Sequence, residues 1–313
     1  MNLPSLIFVV GPTAAGKTAL SLELAEQLNR PILSCDSLCF YRGMDIGTAK
    51  PTAAEQARVP HFGIDLVEPS EGYDIVQYER YARDCVEAHS ATGLIVTGGS
   101  GFYLKSFFSP VTDQIEVPEG LMETVQQLHN DQGLPGLVQA LQARNPDGTG
   151  TLDLQNPRRV EKALLRCMAS GKTLQQLASE FAHQPDPYAD YSRCVLLLDR
   201  DTQELDTRIG QRTRQMLATG LIEEVRQLRL KGLEQNPSGR DSIGYRETLQ
   251  FLDGELDQNT LESEINLHTR QLVRKQRKWF RRQIPIHFKW NPTEITTNSA
   301  LATIQTTYNQ PNR

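Results

Sequence analysis

Thirteen residues near the start of the chain, Leu6 to Thr18 (LIFVVGPTAAGKT), limit its fold more than any other stretch. Five apolar residues, Leu6 to Val10, run into Gly11. Gly16-Lys17-Thr18 then completes G-x-x-x-x-G-K-S/T, the phosphate-cradling loop that joins a buried strand to a helix. Over Gly11, Pro12, Thr13, Ala14, Ala15 and Gly16 the backbone N–H groups, which Pro12 alone lacks, can turn inward toward phosphate oxygens. Lys17 adds a mobile positive charge, and the Thr18 hydroxyl is suited to a Mg²⁺ ion. The helix expected from Thr18 to Leu28 presents its positive end to the same anion. A polyphosphate site is expected. The motif leaves open whether that polyphosphate is a nucleotide, ATP included, or something else.

Composition bears on the partner. A net charge of −5 argues against wholesale coating by nucleic acid, so any such contact must come from a local basic surface. Five scattered cysteines without a C-x-x-C pair indicate neither a disulfide frame nor a structural zinc site. Cys35 and Cys39, at a strand end, read as buried structural thiols. The opening MNLPSLIFVV has no basic leader and reads as strand one rather than a signal peptide. No apolar run approaches the roughly 20 residues needed to span a bilayer. A cytoplasmic monomer is expected.

At 313 residues the chain has room for a full core and a smaller accessory domain. Strand and helix alternate through Pro31–Asp36, a short strand within 59–67, a helix over 75–89 and a strand over 93–98. That alternation predicts an α/β fold with a P-loop NTPase-like parallel sheet core. From about Asp113 to Pro187 the texture changes to apolar residues at three-to-four spacing, broken by Pro135, Pro146 and Pro185. This reads as a helical insertion domain. The sheet resumes at Cys194–Asp199, followed by a helix through 205–230 and another over 260–283. The expected organisation is a catalytic core of 1–112 plus 188–292, a helical insertion domain over 113–187 and a loosely ordered tail over 293–313.

Several side chains invite chemistry. Asp36 ends the second strand, where ligands of open α/β sheets collect, and so should face the phosphate loop. It reads as a general base, a holder of a magnesium-bound water or a cap of the next segment. Asp199 ends VLLLD; the magnesium-binding strand reading competes with a plain strand end, and the plain reading is preferred. Arg208 and Arg212 share a helix face as a phosphate clamp or a solvated pair. The run Arg270, Arg274, Lys275, Arg277, Lys278, Arg281, Arg282 contains no acid and is interleaved with Leu272, Val273, Trp279 and Phe280. A solvated face normally mixes signs, so this run reads as a phosphate-backbone contact. Arg158, Arg159 and Lys162 form a weaker basic cluster in the insertion.

Together these stretches resemble the tRNA dimethylallyltransferases, also called tRNA isopentenyltransferases. The resemblance is segmental but covers most of the chain. Beyond the phosphate loop it rests on DSLCFYRGMDIGTAKP (36–51), VEPSEGYD (67–74), GGSGFYLK (98–105), NPRRVEKAL (156–164), SGKTL (170–174), RIGQRTRQMLATGLIEEV (208–225), IGYRE (243–247) and TRQLVRKQRKWFR (269–281). GMDIGTAKP and the block ending in EEV are far more specific than the phosphate loop. There are departures: Ser100 stands where the family usually has Thr, Lys162 where Arg is frequent, and His61-Phe62 where His-His is common. No zinc finger of the eukaryotic type follows, so a bacterial form is expected.

The resemblance implies that residues 11–18 bind the diphosphate of dimethylallyl diphosphate, with Mg²⁺ at Thr18. It implies a catalytic set of Asp36, Ser100 and Arg212, with Asp36 as the base acting on the target adenine. It also implies tRNA contacts at Asp36, Ser37, Leu38, Cys39, Ser100, Arg158, Arg159, Val160, Glu161, Lys162, Gly244, Tyr245 and Arg246. The basic run adds Arg274 and Arg277. The implied reaction puts a dimethylallyl group on N6 of the adenosine beside the anticodon of tRNA, with the anticodon stem–loop as partner. The rivals are a small-molecule or nucleotide kinase, a prenyltransferase acting on free AMP or ATP, and a non-catalytic RNA-binding P-loop protein.

Overall fold

The structure is a computed structural model that describes residue 3 and residues 5–113, 115–294 and 296–308. Residues 1, 2 and 4 of the expected first strand, residue 114 of the expected insertion, and residues 295 and 309–313 of the expected tail lie outside the described residues. The chain divides into two compact units, Met1–Phe108 with Tyr188–Arg313, and Ser109–Pro187. The first break thus falls at 108/109 rather than at the expected 112/113.

The larger unit begins with β1 (Leu6–Val10), α1 (Lys17–Leu28), β2 (Ile32–Ser34), α2 (Ala53–Gln56), β3 (His61–Phe62), α3 (Ile75–Ala88), β4 (Leu94–Gly98) and α4 (Gly101–Lys105). The smaller unit holds α5 (Glu119–Arg144), α6 (Pro157–Ser170) and α7 (Leu174–Ala182). The chain then returns through β5 (Arg193–Leu198), α8 (Thr202–Ala218), α9 (Leu221–Leu230), α10 (Pro237–Arg240), α11 (Tyr245–Leu252), α12 (Gln258–Gln283), β6 (Phe288–Trp290) and α13 (Thr297–Tyr308).

The strands form one parallel sheet in the order β3-β2-β4-β1-β5-β6. Leu6, Phe8 and Val10 pack into one apolar cluster, while Ile7 and Val9 pack into another. With both faces covered, β1 reads as an unbroken apolar run rather than an alternating one. Register then decides where function can gather. Val10 lies opposite Gly98 and Ser34 opposite Thr97, so the turns leaving β1, β2 and β4 emerge side by side at the carboxyl edge.

The smaller unit has its own core of Val125, Leu137, Leu141, Val160, Leu164, Cys167 and Leu177. Helix α5 is interrupted at Gly133, where φ is 62° and ψ is −161°. The break therefore sits at the glycine, and Pro135 is accommodated in the first turn beyond it.

Two expectations need correction. The helix read through 205–230 is two helices, because Gly220 takes a left-handed φ of 108° at the start of α9. The stretch read as a loosely ordered tail contains α13, whose Ala300 and Ile304 are wholly buried in the cluster that holds Leu22, Leu24 and Ala25. Thr and Asn dominate that segment by number, but the apolar pair at four-residue spacing gives it one face to bury.

Candidate active site

The phosphate loop runs from the buried end of β1 to the start of α1. Gly16 caps α1 with φ of 99° and has no side chain to offer, so the first N–H groups of the helix stay available to an anion. The loop is gripped from outside. Nε of Arg200 and of Arg208 donate to the carbonyls of Ala15 and Ala14, each at 2.8 Å. Arg212 donates to the Thr13 hydroxyl at 3.3 Å and to the Thr48 carbonyl at 3.1 Å.

Arg200 lies just before α8 and Arg208 and Arg212 lie on it; the helix is capped by Asp201, whose Oδ1 accepts from the Gln203 N–H at 2.8 Å. The helix buries Leu205, Ile209, Thr213 and Met216, which turns Arg208 and Arg212 toward the loop. The Lys17 ammonium donates to the Pro12 carbonyl at 3.0 Å. Burial lowers its pKa to about 8, against the pull of Asp36, which raises it.

Asp36 stands across the gap, two residues beyond β2. Its Oδ1 accepts from the Leu38 N–H at 3.2 Å. Burial lowers the Arg212 pKa, and the Asp36 carboxylate again opposes the shift. Ser100 Oγ accepts from the Ser37 N–H at 3.0 Å and lies 3.2 Å from Ser37 Oγ. The turn after β4 comes this close because residue 98 is glycine: a Cβ there would lie 2.1 Å from the Cys35 carbonyl oxygen. Cys35 and Cys39 are buried, and burial pushes the Cys39 thiol up to about 12, so both are inert structural groups.

These walls enclose a cavity of about 710 Å³ lined by Thr13, Lys17, Thr18, Asp36, Ser37, Leu38, Cys39, Ser100, Arg212 and Gly244 among others. Gly11, Pro12, Ala14, Ala15 and Gly16 shape the loop behind it. Tyr245 is fully buried, and Arg246 pairs with the buried Glu247. Arg274 is exposed on α12. Arg277 is held in place, with Nε 2.8 Å from Asp199 Oδ1 and Nη1 3.0 Å from the Thr202 hydroxyl. Asp199 is thereby engaged by Arg277 and does not line the cavity, in keeping with the plain strand-end reading; Asp201, not Asp199, caps the helix that follows. In the smaller unit Arg158, Arg159 and Lys162 are exposed on α6, Glu161 is half-buried, and Val160 is a core residue.

Sequence reasoning missed three organising groups. Glu224 accepts from the backbone N–H groups of Asp45, Ile46 and Gly47 at 3.1, 2.6 and 3.1 Å, and from the Tyr245 hydroxyl at 2.7 Å. Glu247, wholly buried, accepts from the Gly244 N–H at 2.6 Å. Gln276 bonds to both Thr13 and Gly99. Glu224 and Glu247 sit inside the most specific motifs, and an acid in such a block was the signal available. Gln276 is an uncharged polar residue inside the basic run.

A family model described as IPP transferase matches residues 39–283. The chain is 49% identical over 286 residues to a tRNA dimethylallyltransferase of Opitutus terrae, covering 91% of this chain and 92% of that one. It is 37% identical over 295 residues to a tRNA dimethylallyltransferase of Parasynechococcus marenigrum, covering 93% and 94%. The solved tRNA delta(2)-isopentenylpyrophosphate transferase of Staphylococcus epidermidis matches with a TM-score of 0.68 at 27% identity, covering 98% of this chain and 99% of that one. A eukaryotic dimethylallyltransferase acting on tRNA matches with a TM-score of 0.82 at 22% identity, covering 100% and 81%, a likeness of fold alone.

Proposed function

The chain belongs to the IPP transferase family, and from that premise we propose that it transfers the dimethylallyl group of dimethylallyl diphosphate to tRNA. The acceptor is the exocyclic N6 of the adenosine 3′-adjacent to the anticodon in tRNAs reading codons that start with U. The products are N6-isopentenyladenosine and diphosphate. The observation that carries this reading is the single cavity lined by the carboxylate of Asp36 on one side and Lys17 with Arg212 on the other.

An adenine amine has its lone pair delocalised into the ring and attacks poorly until it loses a proton. Asp36 takes that proton as the C–N bond forms, a contribution of about 10²–10⁴-fold for a positioned base. The allylic C–O bond breaks when the charge of the departing diphosphate is met by fixed donors. Lys17, the loop amides and Arg212 supply them. The target base must leave its stack to reach the cavity. Ser100 lies beside Asp36 and holds the backbone on which that base would rest.

The residues present fit a magnesium ion shared with the substrate. Thr18 turns a hydroxyl oxygen to the cavity, and substrate phosphate oxygens with water would complete the shell of an ion held there, leaving Asp36 free as the base. Bound there, the ion would neutralise charge on the leaving diphosphate. The exposed basic groups Arg274, Lys275 and Lys278 on α12, and Arg158, Arg159 and Lys162 on α6, are the proposed contacts to the anticodon stem–loop backbone. The proposed enzyme is a monomer, and a tRNA substrate is in keeping with a reaction in the cytoplasm.

The test is transfer of label from dimethylallyl diphosphate, with Mg²⁺ and without ATP, offered tRNA or AMP. Label in tRNA is expected. Label in AMP alone would overturn the acceptor assignment, and a requirement for ATP would point to a kinase.

A further inference from the structure

Within the basic run of α12, Gln276 sits uncharged between Lys275 and Arg277, and its carboxamide holds two separate turns at once. Oε1 accepts from the N–H of Thr13 in the phosphate loop at 2.9 Å. Nε2 donates to the carbonyl of Gly99, in the turn after β4, at 3.0 Å. The second bond depends on the glycine, since a Cβ at residue 99 would lie 2.7 Å from Nε2.

Each turn leads directly to a reacting partner. Thr13 also takes Arg212 on its hydroxyl, so it belongs to the diphosphate wall. Gly99 precedes Ser100, which holds Ser37 and so the Asp36 wall. Only a planar group with an acceptor and a donor side by side can make this pair of bonds at one position. The helix that carries it is itself fixed, through Arg277 to Asp199 at 2.8 Å and through Arg270 to Asp206 at 3.2 Å.

We infer that Gln276 is a positioning residue that sets the spacing between the diphosphate cradle and the Ser100–Asp36 wall, and so aligns the attacking amine with the allylic carbon. The inference rests on the function proposed above and adds the residue that registers its two halves. Alignment of this kind acts on the chemical step: a misplacement of about 1 Å costs on the order of 10²-fold in rate. It acts little on the affinity of either substrate taken alone, because both polar atoms of the Gln276 carboxamide, which lines the cavity, are already engaged by a loop amide and a turn carbonyl.

Four quantities separate alignment from a merely structural role: the single-turnover transfer rate at saturating substrates, the Kd for inorganic pyrophosphate, the Kd for tRNA and the melting temperature. Gln276→Met keeps the length of the side chain and removes both bonds. Gln276→Glu keeps the acceptor for Thr13 and sets an oxygen against the Gly99 carbonyl. Both variants are expected to lose roughly 10–100-fold in single-turnover rate, with each Kd within about threefold of the unsubstituted chain. If the methionine variant folds poorly, the near-isosteric glutamate variant reads the same split. An unchanged rate, or a rate that falls only in step with weaker pyrophosphate binding or lost folding, overturns the inference alone. Failure of the unsubstituted chain to label tRNA overturns the function and this inference with it.

Discussion

Two side chains across one cavity show how far single residues can be taken. Asp36 was legible from the sequence as a carboxylate at a strand end, because the carboxyl edge of a parallel sheet is where such groups meet a ligand. Asp36→Asn keeps the acceptor for the Leu38 N–H and removes the base. The expected result is a loss of about 10²–10⁴-fold in single-turnover rate with tRNA retention unchanged on a filter; a rate within threefold would show that another group takes the proton. Lys17 was legible as the motif lysine, but its proton affinity was not, since that depends on burial. Burial brings its pKa from 10.5 down to about 8. The folded chain therefore holds this proton less tightly than the unfolded chain does. The destabilising effect of the buried charge is full below about 8 and is relieved as pH rises from there toward 10.5. Binding has the opposite sign, because diphosphate favours the charged form. Pyrophosphate affinity should fall as pH rises through about 8, with proton uptake measurable by calorimetry in two buffers of different ionisation enthalpy. Lys17→Met should bind weakly and lack that increment of proton uptake.

Elements were legible where their periodicity was strong, and misread where one residue overrode it. Strand β1 and helix α12 stood out because a five-residue apolar run and a long amphipathic stretch each have one plausible fate. The division between α8 and α9 was hidden because helix-forming residues flank Gly220 on both sides; only its left-handed conformation breaks the helix. Helix α13 was hidden because its polar residues outnumber the two apolar ones that matter, Ala300 and Ile304. The role of α9 could not be read at all, since it lies in a contact between distant segments: Glu224 gathers three consecutive N–H groups of the GMDIGTAKP loop, residues 45–47. That loop supplies the Thr48 carbonyl that receives Arg212, so α9 holds the clamp of α8 in place through the loop between them. Glu224→Ala leaves those donors without their acceptor. Its expected cost is on the order of 2–3 kcal/mol in urea unfolding, together with a raised KM for dimethylallyl diphosphate. Tyr245→Phe, which removes one neutral donor from the same carboxylate, should cost about 1 kcal/mol. Equal effects of the two substitutions would mean that Glu224 does not hold the loop.

At the scale of the whole molecule the question is how a chain of net charge −5 holds a polyanion. The basic run of α12 was legible as a local exception to that charge, but the sequence could not sort its members, because a helical stripe does not reveal which cations are already neutralised inside the fold. The structure sorts them. Arg277 is tied to Asp199 and Thr202, and Arg270 to Asp206, so these two fasten α12 to the sheet and to α8. Arg274, Lys275 and Lys278 are exposed, and Lys275 also lines the cavity. The two groups should therefore fail differently. Reversing Arg274, Lys275 and Lys278 to Glu should weaken tRNA binding and flatten its dependence on salt. At roughly 0.7 per lost phosphate contact on single-stranded nucleic acid, three contacts lower the slope of log Kd against log salt by about two. Melting temperature should hold, since exposed charges contribute little to folding. Arg277→Ala should do the reverse. It leaves the largely buried Asp199 carboxylate with only the more distant Lys289, at 3.7 Å, lowering stability by about 1–3 kcal/mol while the salt slope stays the same. If the triple reversal leaves the slope where it was, the outward face of α12 is solvated and the tRNA backbone is held elsewhere. If Arg277→Ala flattens the slope, its partnership with Asp199 gives way to phosphate when tRNA binds, and α12 is a moving element rather than a fixed beam.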